Sequence, residues 1–284
     1  MRPTNSIAMK PPEPIIVSDL FQPVLNSLLE LLSGLSLDDW NRPTVCKEWS
    51  VKDIASHLLG GEIGILSRKR DRYAYSGDNS MSWEELVALI NRLNDTWVKA
   101  ASRMSPRVLC ELMKLTGEQS CEYFKSLDPY AMGSPVDWAS SEPAPVWLDL
   151  AREYTERWHH QQQIRDAVGK PGLKEKKFFA LVLDAFVRAL PRTYALVNAR
   201  DSTLVAFTIT GESGGRWFLL REDQAWTLYI DVERAPDAEL MIDEDVAWRL
   251  FTRGVTKEEA LRTARVIGDE SLAMKALEMV SVIA

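Results

Sequence analysis

Three histidines serve the whole 284-residue chain, and their placing is where the sequence is most able to do chemistry. One closes the segment Trp49-Ser-Val-Lys-Asp53-Ile-Ala-Ser-His57, and the other two end Glu156-Arg-Trp-His159-His160. Residues four apart on a helix share a face, so a helical second segment projects Glu156 and His160 together. His57 must then come from another helix. One carboxylate and two imidazoles suit a divalent zinc, iron, nickel or cobalt ion with coordination positions left open, a catalytic rather than a structural arrangement. Spacing alone leaves a plainer alternative standing, because Glu and His four apart are common on helices and a single helical histidine is usually a hydrogen-bonded polar residue.

Several elements must position these groups. Apolar residues recur at helical spacing over residues 17–32, stopped by Ser33 and Gly34, and a short turn capped by Ser36 follows before Pro43. A second helix begins at Ser50, whose hydroxyl caps it while Asp53 supplies the returning carboxylate of a capping box. His57 lies two turns in, between Ile54 and Leu58, on a face that requires a polar partner inside a bundle. A third helix is expected over residues 83–103, and residues 106–127 read as helical but interrupted. The fourth bundle helix runs from 145 to 168, after a Pro/Ser/Glu-rich stretch at 133–145, and stops at Gly169 and Pro171. Along it Asp149, Glu153, Glu156, His160 and Gln163 form a polar stripe that is costly inside a bundle unless its members bind one another, water or a metal.

Beyond residue 175 the texture changes. A helix at 178–190 is followed by three strands, 203–210, 216–220 and 225–230, which read as consecutive and antiparallel. A short strand at 238–242, a helix at 245–251, a strand-to-helix turn at 265–269 in which Asp269 caps, and a last helix at 271–282 complete an α+β half. The expected division is a loose extension at 1–14, a helical domain at 15–172 and an α+β domain at 173–284.

Composition sets bounds. With 46% hydrophobic and 26% charged residues the chain is an ordinary globular protein. Its net charge of -7 argues against nucleic acid or anionic membrane surfaces as partners. The basic cluster Arg68, Lys69, Arg70 and Arg72 is either a solvated helix end or a landing site for an anion. Cys46, Cys110 and Cys121 lack paired metal-ligand spacing and leave one over from any disulfide, which suits a reduced cytoplasmic protein. The start, residues 1–14, carries four prolines and no apolar run of the length expected for a signal peptide or a membrane span. Ten tryptophans are expected mostly in cores or at domain interfaces, Trp158 facing another helix or a second subunit.

The order of these features resembles the DinB-like superfamily and, within it, the mycothiol-dependent maleylpyruvate isomerase family. The Trp49, Asp53, His57 segment is similar to that family's pattern at the start of its second helix, and Glu156-x-x-x-His160 to its fourth. Ala238-Glu-Leu-Met-Ile-Asp243, Ala247-Trp-Arg-Leu-Phe251 and Val266-Ile-Gly-Asp269 resemble its sterol-carrier-like tail, so the likeness covers most of residues 15–284. It implies an N-terminal DinB-like four-helix bundle followed by a smaller sterol-carrier-like α+β domain. It carries His57, Glu156 and His160 over as ligands of a divalent metal, zinc first, with nickel, iron or cobalt as alternatives. His159, turned about 100° from His160 on a helix, is left to support a ligand, face the substrate or pack, with ligation as a fallback. The chain departs from the resemblance at Gln163, where relatives often carry aspartate. Glutamine can orient a ligand or bind a substrate but cannot supply the charge.

The implied activity is that of a metal-dependent enzyme using a low-molecular-weight thiol such as mycothiol, either isomerising an unsaturated acid or transferring the thiol. Its substrate is a small molecule, whose carboxylate Arg72, Arg216 or Arg221 can hold through paired hydrogen bonds. The alternatives are metal-dependent hydrolysis and a non-catalytic binding protein for an apolar small molecule. Four-helix members of the superfamily also suggest a homodimer.

Overall fold

The periodic apolar positions become the helices they imply. The computed structural model describes residues 9–73, 83–136 and 140–281. Residues 1–8 of the expected extension, Trp138 and residue 282 of the expected last helix lie outside these. Two compact units divide the described chain, the first comprising Val17–Pro129 and Glu153–Lys174, the second the segment up to Ile16, Tyr130–Arg152 and the stretch from Glu175 onward.

The first unit contains α1 (Phe21–Ser33), a short α2 (Leu37–Trp40), α3 (Val51–Gly64), α4 (Trp83–Ala101), α5 (Pro106–Ser126) and most of α6 (Val146–Val168). Leu25 and Leu28 from α1, Ile54 and Leu58 from α3, Leu109 and Met113 from α5, and Ile164 and Val168 from α6 share one core. Here the structure corrects an expectation, since the third core helix is α5. It packs on both α1 and α3, whereas α4 packs chiefly on α3 and leaves Leu93 of its apolar stripe 49% exposed. Nor is α5 interrupted. Ser105 accepts a hydrogen bond from the Val108 N–H, Pro106 opens the first turn, and Gly117, inside the helix, lies where a Cβ would come within 2.7 Å of Leu25. After α3 the chain widens into a π-helical segment, Ile65–Arg70, for which no expectation existed. At the other end α6 stops as expected, with Gly169 in the left-handed region at φ 67°.

The second unit is α+β. Its strands are β1 (Met9–Lys10), β2 (Met132–Val136), β3 (Ser140–Pro145), β4 (Leu204–Thr210), β5 (Gly215–Glu222), β6 (Ala225–Tyr229), β7 (Asp231–Val232), β8 (Ala238–Asp243) and β9 (Arg265–Gly268). The main sheet has the order β6-β5-β4-β8-β9, antiparallel except for the parallel β4/β8 pair. Helices α7 (Lys176–Val187), α8 (Leu190–Thr193), α9 (Glu244–Phe251), α10 (Lys257–Leu261) and α11 (Glu270–Lys275) accompany it. Asp269 caps α11 through the Leu272 N–H, but that helix ends in a single 3-10 turn, well short of the expected 282. Two stretches read as irregular are paired. Met9–Lys10, in the expected loose extension, pairs with β7, and the Pro/Ser-rich stretch before α6 forms the irregular hairpin β2/β3. Among the described residues no helix is long and apolar enough to cross a membrane.

Candidate metal centre

The first unit places all three histidines on two helices. At the start of α3 the Ser50 hydroxyl accepts the Asp53 N–H at 3.3 Å, and the Asp53 carboxylate accepts the Ser50 N–H at 2.9 Å and its hydroxyl at 2.6 Å. That reciprocal box fixes where the helix begins, and therefore which way His57 points two turns later. The loop ahead of it is equally tied. The Thr44 hydroxyl donates to the Trp49 carbonyl at 2.8 Å, and the Trp49 N–H to the Cys46 carbonyl at 2.8 Å. The Trp49 ring consequently lies 5.0 Å from the His57 ring.

On α6 the polar stripe finds the partners that burial demands. Glu156 Oε2 lies 3.5 Å from His160 Nε2, and His160 Nδ1 is 2.8 Å from Gln163 Oε1. One ligand atom each from His57, Glu156 and His160 lies within 4.8 Å of the other two. Around a zinc ion with bonds of about 2.1 Å, tetrahedral ligand atoms sit about 3.4 Å apart, so a small closure of this triangle suffices. His57 is also in a suitable protonation state. Burial, then the neighbouring His160, pushes the His57 imidazolium down to about 3 against the pull of Glu156, leaving a neutral ring with a lone pair at neutral pH.

His159 takes no part in this triangle. It is buried, its Nδ1 donates to the Thr155 carbonyl at 2.9 Å, and burial followed by His160 pushes it down to about 3. Trp158, expected to face another helix or subunit, is fully buried in its own unit, where its indole N–H donates to the Leu173 carbonyl at 2.8 Å. A second polar layer was not foreseen. Arg157 donates from Nε to Glu62 Oε1 at 3.0 Å and from Nη1 to Glu153 Oε2 at 2.7 Å, with Lys69 Nζ 3.6 Å from the other Glu153 oxygen. The four-residue step from Glu153 to Arg157 is its trace in the sequence, but its partner Glu62 on α3 had no distinctive spacing.

The arginines expected to bind a substrate separate. Arg72 is exposed beyond the π-helical segment, with φ 54°. Arg216 pairs with Glu239 at 2.9 Å. Arg221 is buried over Trp226, with Nε and Nη1 lacking protein partners. In the basic cluster Arg70 is paired with Asp71 at 2.7 Å and bonded to Gln119, the behaviour of a helix end.

A helical bundle carrying His, Glu and His on two of its core helices, followed by a sheet-containing part, defines a DinB-like protein. The family model for the mycothiol maleylpyruvate isomerase N-terminal domain matches residues 21–165, slightly more than half of the chain, and the chain belongs to that family. Crystal structures of mycothiol-dependent maleylpyruvate isomerase and of a histidine-to-alanine mutant of it share the fold. The former is 12% identical, with a TM-score of 0.51 over 83% of this chain and 88% of that one. The mutant is 11% identical, with a TM-score of 0.52 over 84% and 88%. No curated protein matches the sequence.

Proposed function

We propose that His57, Glu156 and His160 hold a divalent metal, zinc first, and that the protein uses a low-molecular-weight thiol, mycothiol or a close analogue, to isomerise a small unsaturated acid. The convergence of the three ligand atoms carries this reading, and membership of the isomerase family supports the reaction class. When bound, the metal supplies a Lewis acid that lowers the proton affinity of a thiol and yields a nucleophile at neutral pH. The chain's own residues provide the setting. Trp49 walls the site beside His57, the His57 imidazole remains neutral, and Glu156 contributes the negative charge of the triangle. Reversible addition of the thiol to a cis double bond, rotation about the resulting single bond, and departure of the thiol leave the acid isomerised and the thiol regenerated.

The nucleophile must come from outside the chain. Burial, then Glu62, pushes the Cys121 thiol up to about 11, which leaves about one thiolate in three thousand at pH 7.5. Burial raises Cys46 and Cys110 as well. A reduced cytoplasmic setting and a small-molecule partner belong to the same proposal, as does a homodimer.

Metal content tests the reading in protein purified without a metal-affinity tag. Native protein is expected to carry about one equivalent and His57→Ala far less, since a three-ligand site loses a third of its donors. Equal, low metal in both overturns the site. The loaded protein should isomerise maleylpyruvate only when mycothiol is supplied. Thiol-independent hydrolysis of an amide or ester would transfer the site to water activation.

A further inference from the structure

We infer that Cys46 and Gln163 form a chain of hydrogen bonds that sets the tautomer and orientation of His160, making Gln163 the positioning residue of the centre. The inference rests on the metal reading above. Gln163 is 4% exposed and His160 8%, so neither side chain relies on bulk solvent. The Gln163 Oε1 atom receives two contacts, His160 Nδ1 at 2.8 Å and the Cys46 thiol at 3.6 Å. A thiol S–H in this position donates, so the amide presents its oxygen, and the imidazole nitrogen facing that oxygen carries the proton. The proton on Nδ1 leaves the Nε2 lone pair free, and Nε2 is the atom 3.5 Å from Glu156 Oε2. The sequence order of the chain thus has a physical meaning. Cys46 sits in the loop pinned by Thr44 and Trp49, and that loop extends to the capped start of α3, so it couples the two ligand-bearing helices.

A neutral amide at this position has a further consequence. With Glu156 as the one anionic member of the triangle and Gln163 uncharged, a divalent ion retains a net positive charge there. That charge favours an anionic ligand such as a thiolate over a neutral one.

The experiment uses the full-length protein and cobalt(II) alone, with affinity read by competition against a chromophoric chelator. Removing the acceptor with Gln163→Leu should weaken cobalt binding about 10- to 100-fold. Gln163→Glu keeps an acceptor and adds charge, and should bind at least as tightly as the parent. Cys46→Ala removes only the weak second donor, and should cost about two- to fivefold. Parental affinity in Gln163→Leu overturns the inference, as does an equal loss in Gln163→Glu. A parent that binds no cobalt fails the metal reading instead. Because Gln163→Leu can perturb a buried position, the parent supplies an independent measurement. Its ¹⁵N-imidazole spectrum should show His160 protonated at Nδ1 and not at Nε2, and the reverse tautomer refutes the assignment.

Discussion

Arg157 shows how a single residue decides what the bundle interior can contain. It lies one turn from the proposed ligands on α6, stacked 4.9 Å from the centre of the Phe124 ring and 5.6 Å from that of Phe21. Burial opposes its charge, but Glu62 and Glu153 outweigh that cost and raise its proton affinity further. The arrangement has little to gain over an apolar layer of equal volume, yet much to lose when broken, because deletion of the cation leaves two carboxylates confined together. Arg157→Met should therefore cost about 3–5 kcal/mol, read as a lowered urea midpoint with unchanged slope. Adding Glu62→Met and Glu153→Met to the same chain should restore most of it. A single variant as stable as the parent would show that the two carboxylates protonate at no cost, and would sink this account. His57, Glu156 and His160 were legible from the sequence because histidine is rare in this chain and Glu156 stands one helical step from His160, and the resemblance brought them together. Cys46 and Glu62 were not, since a loop cysteine and a helical glutamate carry no signal until the backbone places them.

At the scale of elements, legibility followed local chemistry. The helices α1, α3 and α6 and the turn α2 were readable from period and caps: Ser36 caps α2, and in α3 the capping box formed on Ser50 and Asp53, the residues that suggested it. What tertiary packing decides was not readable: that α5 replaces α4 as a core helix, that α5 runs without interruption with Gly117 packed close to Leu25, and that a proline-rich stretch pairs as β2/β3. Gly60 presents the same question in testable form. In an exposed helix interior, Gly→Ala stabilises by about 1 kcal/mol. Here a Cβ would fall 2.6 Å from the Trp97 indole, whose N–H is bonded to the Ser56 carbonyl at 2.7 Å, so the ring cannot simply swing away. Overpacking, at about 1–3 kcal/mol, wins over propensity. Gly60→Ala should lower the melting temperature and shift tryptophan fluorescence as α4 moves off α3, whereas a rise in melting temperature would mean that the α3/α4 contact is soft.

For the molecule as a whole, the buried histidines tie folding to pH through a definite sign. His57 and His159 are each pushed down to about 3 from the ordinary imidazole value of 6.5. Well above 6.5 both are neutral whether the chain is folded or unfolded, and they contribute no pH dependence. Below it the unfolded chain binds protons that the folded protein refuses, so stability falls as the pH falls, at up to about 1.4 kcal/mol per pH unit for each group. The fall continues toward pH 3, but between about 6.5 and 5 it is separate from the titration of ordinary carboxylates. Urea midpoints of the metal-free protein at pH 7.5, 6.5, 5.75 and 5 should therefore fall only slightly across the first pair and progressively more steeply across the others. His159→Gln, which removes one of the two groups while leaving the proposed ligands in place, should reduce the slope by about half. Saturating cobalt at pH 7.5 should raise the midpoint, because a ligand confined to the folded state stabilises it. A parent and a His159→Gln variant with the same slope would place the proton uptake elsewhere, and would remove the buried-imidazole explanation for any acid lability the protein shows.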